Sequence, residues 1–274
     1  MTQQVSEPRV GFILNYAYNK PAGQLLRSES VGRTTAYTYD TSGNILSKGG
    51  SVYLHKGWQL ASVEDPATPG SKRTFEYSAD GHRIKELDSN SQPVRTMEYD
   101  TLGRLTSLDT NRTFMYDSNG RMVKATAPDG TVTYYPSKSY EVRVKGGVKT
   151  HTSYLIHHTR QASITTESGK DPTALYYQCD HLESVIAVFD ANGMIVTEYF
   201  YDEFGTVTSV HGEDISRYKF NGKEEFDGLY CFGARFYDPT VRFIIRLDIS
   251  KTNLIFLSRA GSSFSMTFSP TSKT

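Results

Sequence analysis

The residue types that most often bind metal ions cluster in one stretch of this chain. Cys179 and His181 lie close together, and His151, His157 and His158 precede them. Zinc sites hold their Cys and His ligands in ordered, paired spacings. These five residues do not show such pairs, so the sequence predicts no metal site, and a structural role explains them more simply.

Acidic side chains that could serve as the general acid and base of a glycosidase are Asp202, Glu203, Glu224, Glu225 and Asp238. Turn signals follow them, with Gly205 after the first pair and Gly228 after the second. A role in turns explains these carboxylates without catalysis. The chain also has no nucleophile elbow, dinucleotide-binding glycine motif or phosphate loop. The sequence therefore predicts no catalytic residue and no cofactor.

A repeated phrase dominates the rest of the chain. An aromatic pair is followed by an aspartate or serine and, three residues later, by a glycine, and six clear copies begin at Tyr37, Phe75, Met97, Phe114, Val188 and Tyr199. A degenerate copy lies within residues 53–63. Turn-rich composition alone would not fix the tyrosine-to-glycine distance six times. Internal repetition is therefore the main organising feature of the sequence.

Each copy has the composition of a tight hairpin. Alternate residues of a strand share a face, so Tyr37 and Tyr39 point the same way. Aspartate suits the first position of a type I turn, where its carboxylate accepts backbone N–H groups. The glycine then supplies a left-handed residue and a bulge before the return strand. We therefore expect positive φ at Gly43, Gly103, Gly120 and Gly205.

Composition and charge narrow the function. The chain has 274 residues, 30 basic and 30 acidic side chains, and an aromatic-rich composition with 19 tyrosines and 14 phenylalanines. The chain lacks the basic patch that nucleic-acid-binding proteins usually show, so nucleic acid is not an expected partner. No segment has the length of a membrane span, and no signal peptide is evident, which leaves the localisation undetermined. Two cysteines, Cys179 and Cys231, do not make a disulfide framework, although they could pair.

The second half of the chain resembles rearrangement-hotspot (Rhs) proteins. Residues 176–207 are similar to the segment that precedes the Rhs core, and residues 218–243 are similar to the core itself. The matching positions are Phe220, Gly222, Lys223, Glu224, Gly228, Leu229, Tyr230, Gly233, Ala234, Arg235, Tyr237, Asp238, Pro239, Arg242 and Phe243. The upstream copies correspond to the YD repeats of that family. His181 is a signature position of the family.

This resemblance implies the fold and the function. We expect an all-β chain of successive antiparallel hairpins that form a curved strip, part of an Rhs-type shell. The expected divisions are an N-terminal segment (1–34), a YD-repeat array (35–175), a core region (176–246) and a divergent, poorly ordered tail (247–274). The family encloses a variable C-terminal polypeptide, often a toxin. The expected function is a non-enzymatic wall and plug, with other shell segments or an enclosed polypeptide as partners.

Three departures from the family pattern stand out. Glu183 occupies the place of a family glycine, which predicts a strained or remodelled turn. The aspartate-based self-cleavage motif of the family is absent after Phe243, so no self-cleavage is expected. The repeats are too few for a closed shell, which indicates a fragment.

Two hypotheses remain open. Arg235 is expected to pair with Asp238 or a neighbouring carboxylate. The alternative function is a carbohydrate- or partner-binding β-module, which exposed tyrosines would favour.

Overall fold

The computed structural model describes residues 2–6, 13–19, 22–30, 33–244, 257–260 and 263–266. They divide into two compact units, of which the first contains Met1–Arg95 and the second contains Thr96–Asp248. Most of the tail predicted to be poorly ordered, including Asp248, lies outside the described residues.

The first unit is an antiparallel meander in which each strand pairs with the next along the chain. Its strands are β1 (Thr2–Ser6), β2 (Ile13–Asn19), β3 (Gln24–Ser30), β4 (Arg33–Tyr39), β5 (Ile45–Lys48), β6 (Ser51–Lys56), β7 (Gln59–Glu64), β8 (Arg73–Tyr77) and β9 (Arg83–Leu87). β6 and β7 form the hairpin that the degenerate copy in residues 53–63 predicts.

The second unit continues the same pattern over a longer meander. Its strands are β10 (Pro93–Tyr99, whose last four residues lie in this unit), β11 (Leu105–Leu108), β12 (Arg112–Tyr116), β13 (Met122–Thr126), β14 (Val132–Ser137), β15 (Tyr140–Lys145), β16 (Val148–Ile156), β17 (Arg160–Glu167), β18 (Thr173–Cys179), β19 (Val185–Phe189), β20 (Ile195–Tyr201) and β21 (Val207–Gly212).

The second unit ends in a small sheet built from the segment that resembles the Rhs core. A 3-10 turn, η1 (Phe220–Gly222), precedes the antiparallel strands β22 (Glu225–Phe226), β23 (Leu229–Cys231), β24 (Phe236–Asp238) and β25 (Phe243–Ile244). The last described strands are β26 (Leu257–Ala260) and β27 (Ser263–Met266). The described residues contain no α-helix, and none of them forms a helix able to cross a membrane. The predicted all-β fold of successive antiparallel hairpins is confirmed.

The turn of each repeat has the geometry that its sequence predicts. Asp117 donates its N–H to the Arg121 carbonyl at 2.9 Å and accepts the Gly120 N–H on its own carbonyl at 3.0 Å. The Asp117 carboxylate accepts the backbone N–H groups of Asn119 and Arg121. The pairing register shifts between Met115 and Tyr116, as a bulge requires.

Positive φ at the predicted glycines is confirmed, with +87° at Gly43, +68° at Gly103, +77° at Gly120 and +90° at Gly205. The same backbone pattern occurs at three turns that the repeat motif did not identify, which span 88–92, 127–131 and 180–184. Ser91 and Glu183 take the left-handed place in two of them, with φ of 61° and 67°. The turn therefore tolerates residues other than glycine, at the cost of strain.

The last tyrosine of several repeats joins one hairpin to the one before it. Its hydroxyl donates to a main-chain carbonyl near the start of the preceding return strand, in the pairs Tyr39 to Leu25, Tyr77 to Leu60, Tyr116 to Leu105 and Tyr201 to Val185, all at 2.7–2.8 Å. The sequence indicated only aromatic packing for these residues. The phenol is required because phenylalanine could not make this bond.

We expect Tyr116→Phe to lower the free energy of unfolding by about 1 kcal/mol, because it leaves the carbonyl of the buried Leu105 without this donor. Denaturant unfolding followed by far-UV circular dichroism measures the change. Tyr134→Phe is the matched control, since Tyr134 is exposed on β14. Equal losses in both variants would contradict the inter-hairpin role.

Candidate functional site

The core segment, defined as residues 218–243, packs on one face of the second unit's meander. Its apolar anchors Phe226, Leu229 and Phe236 join a buried cluster contributed by β10 to β13. Phe114 of β12 lies at the centre, with ring centroids 5.1 Å from Phe226 and 5.0 Å from Phe236. Burial of these side chains is the main apolar contribution to seating the segment.

The core segment also binds the main chain of two hairpin turns. Asn221 donates its side-chain amide to the Leu182 carbonyl at 2.8 Å, and the Val185 N–H donates to the Lys219 carbonyl at 3.1 Å. At the next turn, Tyr230 donates to the Gly205 carbonyl at 2.9 Å and Tyr237 to the Phe204 carbonyl at 3.0 Å.

The Phe220 ring covers Gly205 so closely that a Cβ at this position would collide with it. Two features therefore require glycine at position 205, namely its positive φ and the core segment packed over it.

A four-charge cluster lies under the start of the core segment. Arg217 pairs with Glu224 at 2.5 Å and with Glu141 of β15. Tyr135 donates to Glu224 and Tyr154 donates to Glu141, each at 2.9 Å. Arg217 thus connects a carboxylate of the sheet to a carboxylate of the core segment.

Arg160 of β17 supplies the fourth charge. Its guanidinium lies 3.5 Å from the ring centroid of Tyr218 and 4.0 Å from that of Tyr154, which gives two cation–π contacts. Two arginines therefore balance two glutamates, and the cluster is formally neutral. Arg160, Glu141 and Glu224 are all buried.

Burial shifts the titration of this cluster. Desolvation raises the pKa of Glu224 above its usual value, although Arg217 acts in the opposite direction. Burial opposes the charge on Arg217 itself, but Glu224 and Glu141 raise its pKa overall. Desolvation and the glutamates likewise raise the pKa of Tyr135 and Tyr218. The tyrosines are therefore neutral donors.

A second ionic group fixes the base of the core segment. Lys219 donates to Asp214 at 2.8 Å and to Glu225 at 2.6 Å. Burial opposes its charge, but the two carboxylates raise its pKa overall. Farther along, Arg112 of β12 makes two hydrogen bonds to Asp227, at 2.6 and 2.9 Å. Asp227 has φ of +50°, so the tip of the core hairpin is held in a left-handed conformation.

The acidic residues considered for catalysis have structural contacts. Asp202 accepts the N–H groups of Phe204 and Thr206 within its turn. Glu224 and Glu225 are in the ion pairs described above, and Asp238 is buried and accepts both the N–H and the hydroxyl of Thr240. The pairing of Arg235 with Asp238 stays a prediction.

The residues considered for metal binding are distributed over separate elements. Tyr140 and His151 lie 2.6 Å apart through Oη and Nδ1, and the rings of His157 and His158 contact each other at the end of β16. Cys179 ends β18, and His181 is exposed in the following turn. Within the described part of the chain, no three His, Cys, Asp or Glu residues are grouped as metal ligands.

Both cysteines are free and half-buried. The Cys179 thiol donates to the Arg160 carbonyl, and the Cys231 thiol to the Gly233 carbonyl. Burial raises the pKa of Cys179 to about 11 and that of Cys231 to about 12. Thiols with such pKa values are poor nucleophiles at neutral pH.

Sequence reasoning missed the ionic cluster, since Glu141, Arg160 and Arg217 were not candidates. The Glu183 prediction is resolved. The turn is not remodelled, and Glu183 takes the left-handed conformation at φ of 67°. Asp180 still accepts the Leu182 and Ser184 N–H groups, as the other turn aspartates do.

Comparison with known proteins identifies the fold. The family model described as "Teneurin YD-shell" matches residues 3–243. The chain belongs to the Teneurin YD-shell family. The tRNA3(Ser)-specific nuclease WapA of Bacillus spizizenii is 26% identical over 251 residues, covering 84% of this chain and 10% of WapA. The tRNA nuclease WapA of Bacillus subtilis strain 168 is 25% identical with the same coverage. The YD-shell chain thus spans about a tenth of the length of these relatives.

Solved structures agree on the fold. The structure titled "Crystal Structure of TcdB2-TccC3-Cdc42" matches 92% of this YD-shell chain and 17% of its own, with a TM-score of 0.63 at 15% identity. A TcdB2-TccC3 structure without the hypervariable C-terminal region matches 88% with a TM-score of 0.52 at 14% identity. The Rhs and YD-repeat resemblance predicted from the sequence is confirmed.

We expect Arg217→Met to lower the free energy of unfolding by about 3 kcal/mol, because it leaves two buried carboxylates with one arginine. Far-UV circular dichroism is the appropriate signal, since the single tryptophan, Trp58, lies in the first unit. Arg143→Met, at an exposed position of β15, is the control and should be nearly neutral. A similar small effect in both variants would show that the cluster does not stabilise the unit.

We expect Glu183→Gly to raise the free energy of unfolding by up to about 1 kcal/mol, because glycine removes the strain of the left-handed residue. Glu203→Gly in the neighbouring turn is the matched control. Glu203 is not among the residues with positive φ, so glycine there relieves no backbone strain and adds flexibility to the unfolded chain. Destabilisation by both changes would mean that the Glu183 side chain outweighs its backbone strain.

Proposed function

We propose that this chain is a non-enzymatic wall segment of an Rhs-type shell, with the core segment as its plug. Its partners are then other segments or chains of the shell, or an enclosed polypeptide. The observation that carries the proposal is that the charged residues around the core segment are engaged in ion pairs. Arg217 connects Glu224 of the core segment to Glu141 of the sheet, and Lys219 pairs with Glu225 within the core segment.

The aromatic faces of the repeats also favour a wall over a carbohydrate-binding module. The inner aromatics Tyr37, Phe75, Phe114 and Tyr199 are each at most 5% exposed. Sugar-binding platforms present aromatic rings to solvent. Most of the repeat aromatics instead pack within the sheet or against the core segment, which is the arrangement that a structural wall requires.

The match to WapA covers a tenth of that protein, and we propose that this segment corresponds to shell rather than to nuclease. The purified chain, incubated with a tRNA mixture and magnesium, should produce no cleavage above the buffer control. Cleavage that copurifies with the chain and disappears in Glu224→Gln or in Asp202→Asn would refute the non-enzymatic proposal.

A chimera tests the wall function directly. The matched segment of Bacillus subtilis WapA is replaced by residues 3–243, and the C-terminal region of the chimera is probed by limited proteolysis. We expect protection close to that of unaltered WapA, and loss of protection when the inserted segment carries Arg217→Met. The Arg143→Met chimera should remain protected. A folded chimera with an unprotected C-terminal region would rule out the wall function.

A further inference from the structure

We propose that the core segment is a pH-responsive lock, held more tightly at mildly acidic pH than at neutral pH because Glu224 takes up a proton when the segment is seated. The inference rests on the proposed function and adds a regulatory property to the same site. It begins with the position of Glu224, which belongs to the core segment but is buried against the sheet.

Seating removes Glu224 from water without giving it a cation of its own. Arg217 is shared with Glu141, and Tyr135 contributes one neutral hydrogen bond at 2.9 Å. A carboxylate in this position gives up its hydration for a shared arginine, since Arg160, whose charge also favours the carboxylate, lies against tyrosine rings. Protonation relieves this cost, because a neutral carboxyl group is less expensive to bury than a carboxylate.

The groups that face Glu224 come from five parts of the chain. They are Tyr135 of β14, Glu141 of β15, Arg160 of β17, Arg217 of the linker (residues 213–217, between β21 and the core segment), and Tyr218 and Cys231 of the core segment. Both tyrosines and the thiol stay neutral at and below neutral pH, because burial raises their pKa. The arginines keep their charge throughout. Glu224 therefore loses its charge at a higher pH in the seated state than it would in a solvated core segment.

The sign follows from proton linkage. The pKa of Glu224 is raised in the seated state, whereas a released, solvated core segment would return it to the ordinary range. The seated state therefore binds more protons, and seating strengthens as the pH falls from the raised pKa to the ordinary one. Below the ordinary pKa both states are protonated, and this contribution to seating rises no further.

The turns at 100–104 and 190–194 respond in the opposite direction, whereas burial raises the pKa of Asp180 in the turn at 180–184. Hydrogen bonds from Met194 and Asn192 lower the pKa of Asp190, and those from Arg104 and Leu102 outweigh desolvation and lower that of Asp100. Turn stability is therefore present above the ordinary pKa of aspartate and is lost as the pH falls through the lowered value. Global unfolding combines both effects, so the lock must be measured locally.

Hydrogen–deuterium exchange with mass spectrometry supplies that local measurement. Exchange of the full chain is followed at pH 7.5 and at pH 5.5, with correction for the intrinsic rates at each pH. We expect the protection factors of peptides within residues 218–243 to be higher at the lower pH, because the seated state binds more protons than the released state. Peptides covering the turn at 190–194 should not gain protection, because the pKa of Asp190 is lowered.

Two variants separate the lock from general effects of pH. Glu224→Gln should abolish the rise, and Glu213→Gln, which alters an exposed acid in the linker, should leave it intact. Unchanged or reduced protection of the wild-type core segment at pH 5.5 overturns the lock, whether or not Glu224→Gln folds. A core segment that exchanges freely at both pH values would instead overturn the wall-and-plug function itself.

Discussion

The fourth position of the hairpin turn must adopt a left-handed backbone conformation, and this constraint organises the molecule. It closes a type I turn with a bulge, which reverses the chain after four residues and sets the register of the next pair of strands. Gly103 and Gly120 meet the requirement without strain, whereas Ser91 and Glu183 meet it at φ of 61° and 67°. Because each turn repeats the same geometry, the chain extends as a meander of hairpins.

Hairpins alone would form a weak sheet, and the tyrosines connect them. The hydroxyl of Tyr116 reaches a carbonyl of β11, and the guanidinium of Arg104 reaches both Asp100 and the carbonyl of Asp117 in the next repeat. The repeat motif therefore encodes connections between copies as well as the fold of each copy. An aromatic without a hydroxyl, such as Phe189, fills the same place in the motif but cannot make this bond.

The fold could be read from the sequence because its determinants are local. Turn residues, strand alternation and the glycine position all act within about ten residues, so the hairpins, the positive φ angles and the strain at Glu183 were predictable. The four-charge cluster was not, because Glu141, Arg160 and Arg217 come from three distant parts of the chain. No spacing rule relates them, and Arg160 meets its partners mainly through the faces of Tyr154 and Tyr218.

The core segment converts a repetitive sheet into a specific site by binding features that only some turns present. Asn221 donates a hydrogen bond to the Leu182 carbonyl, and the Phe220 ring leaves no room for a side chain at position 205. Asn221 is itself left-handed, with φ of 50°, so strained residues face each other across this contact. Strain of this kind persists only where surrounding contacts over-determine the backbone. The ionic cluster and the Phe226 anchor provide those contacts, which couples the geometry of the turn at 180–184 to the seating of the core segment.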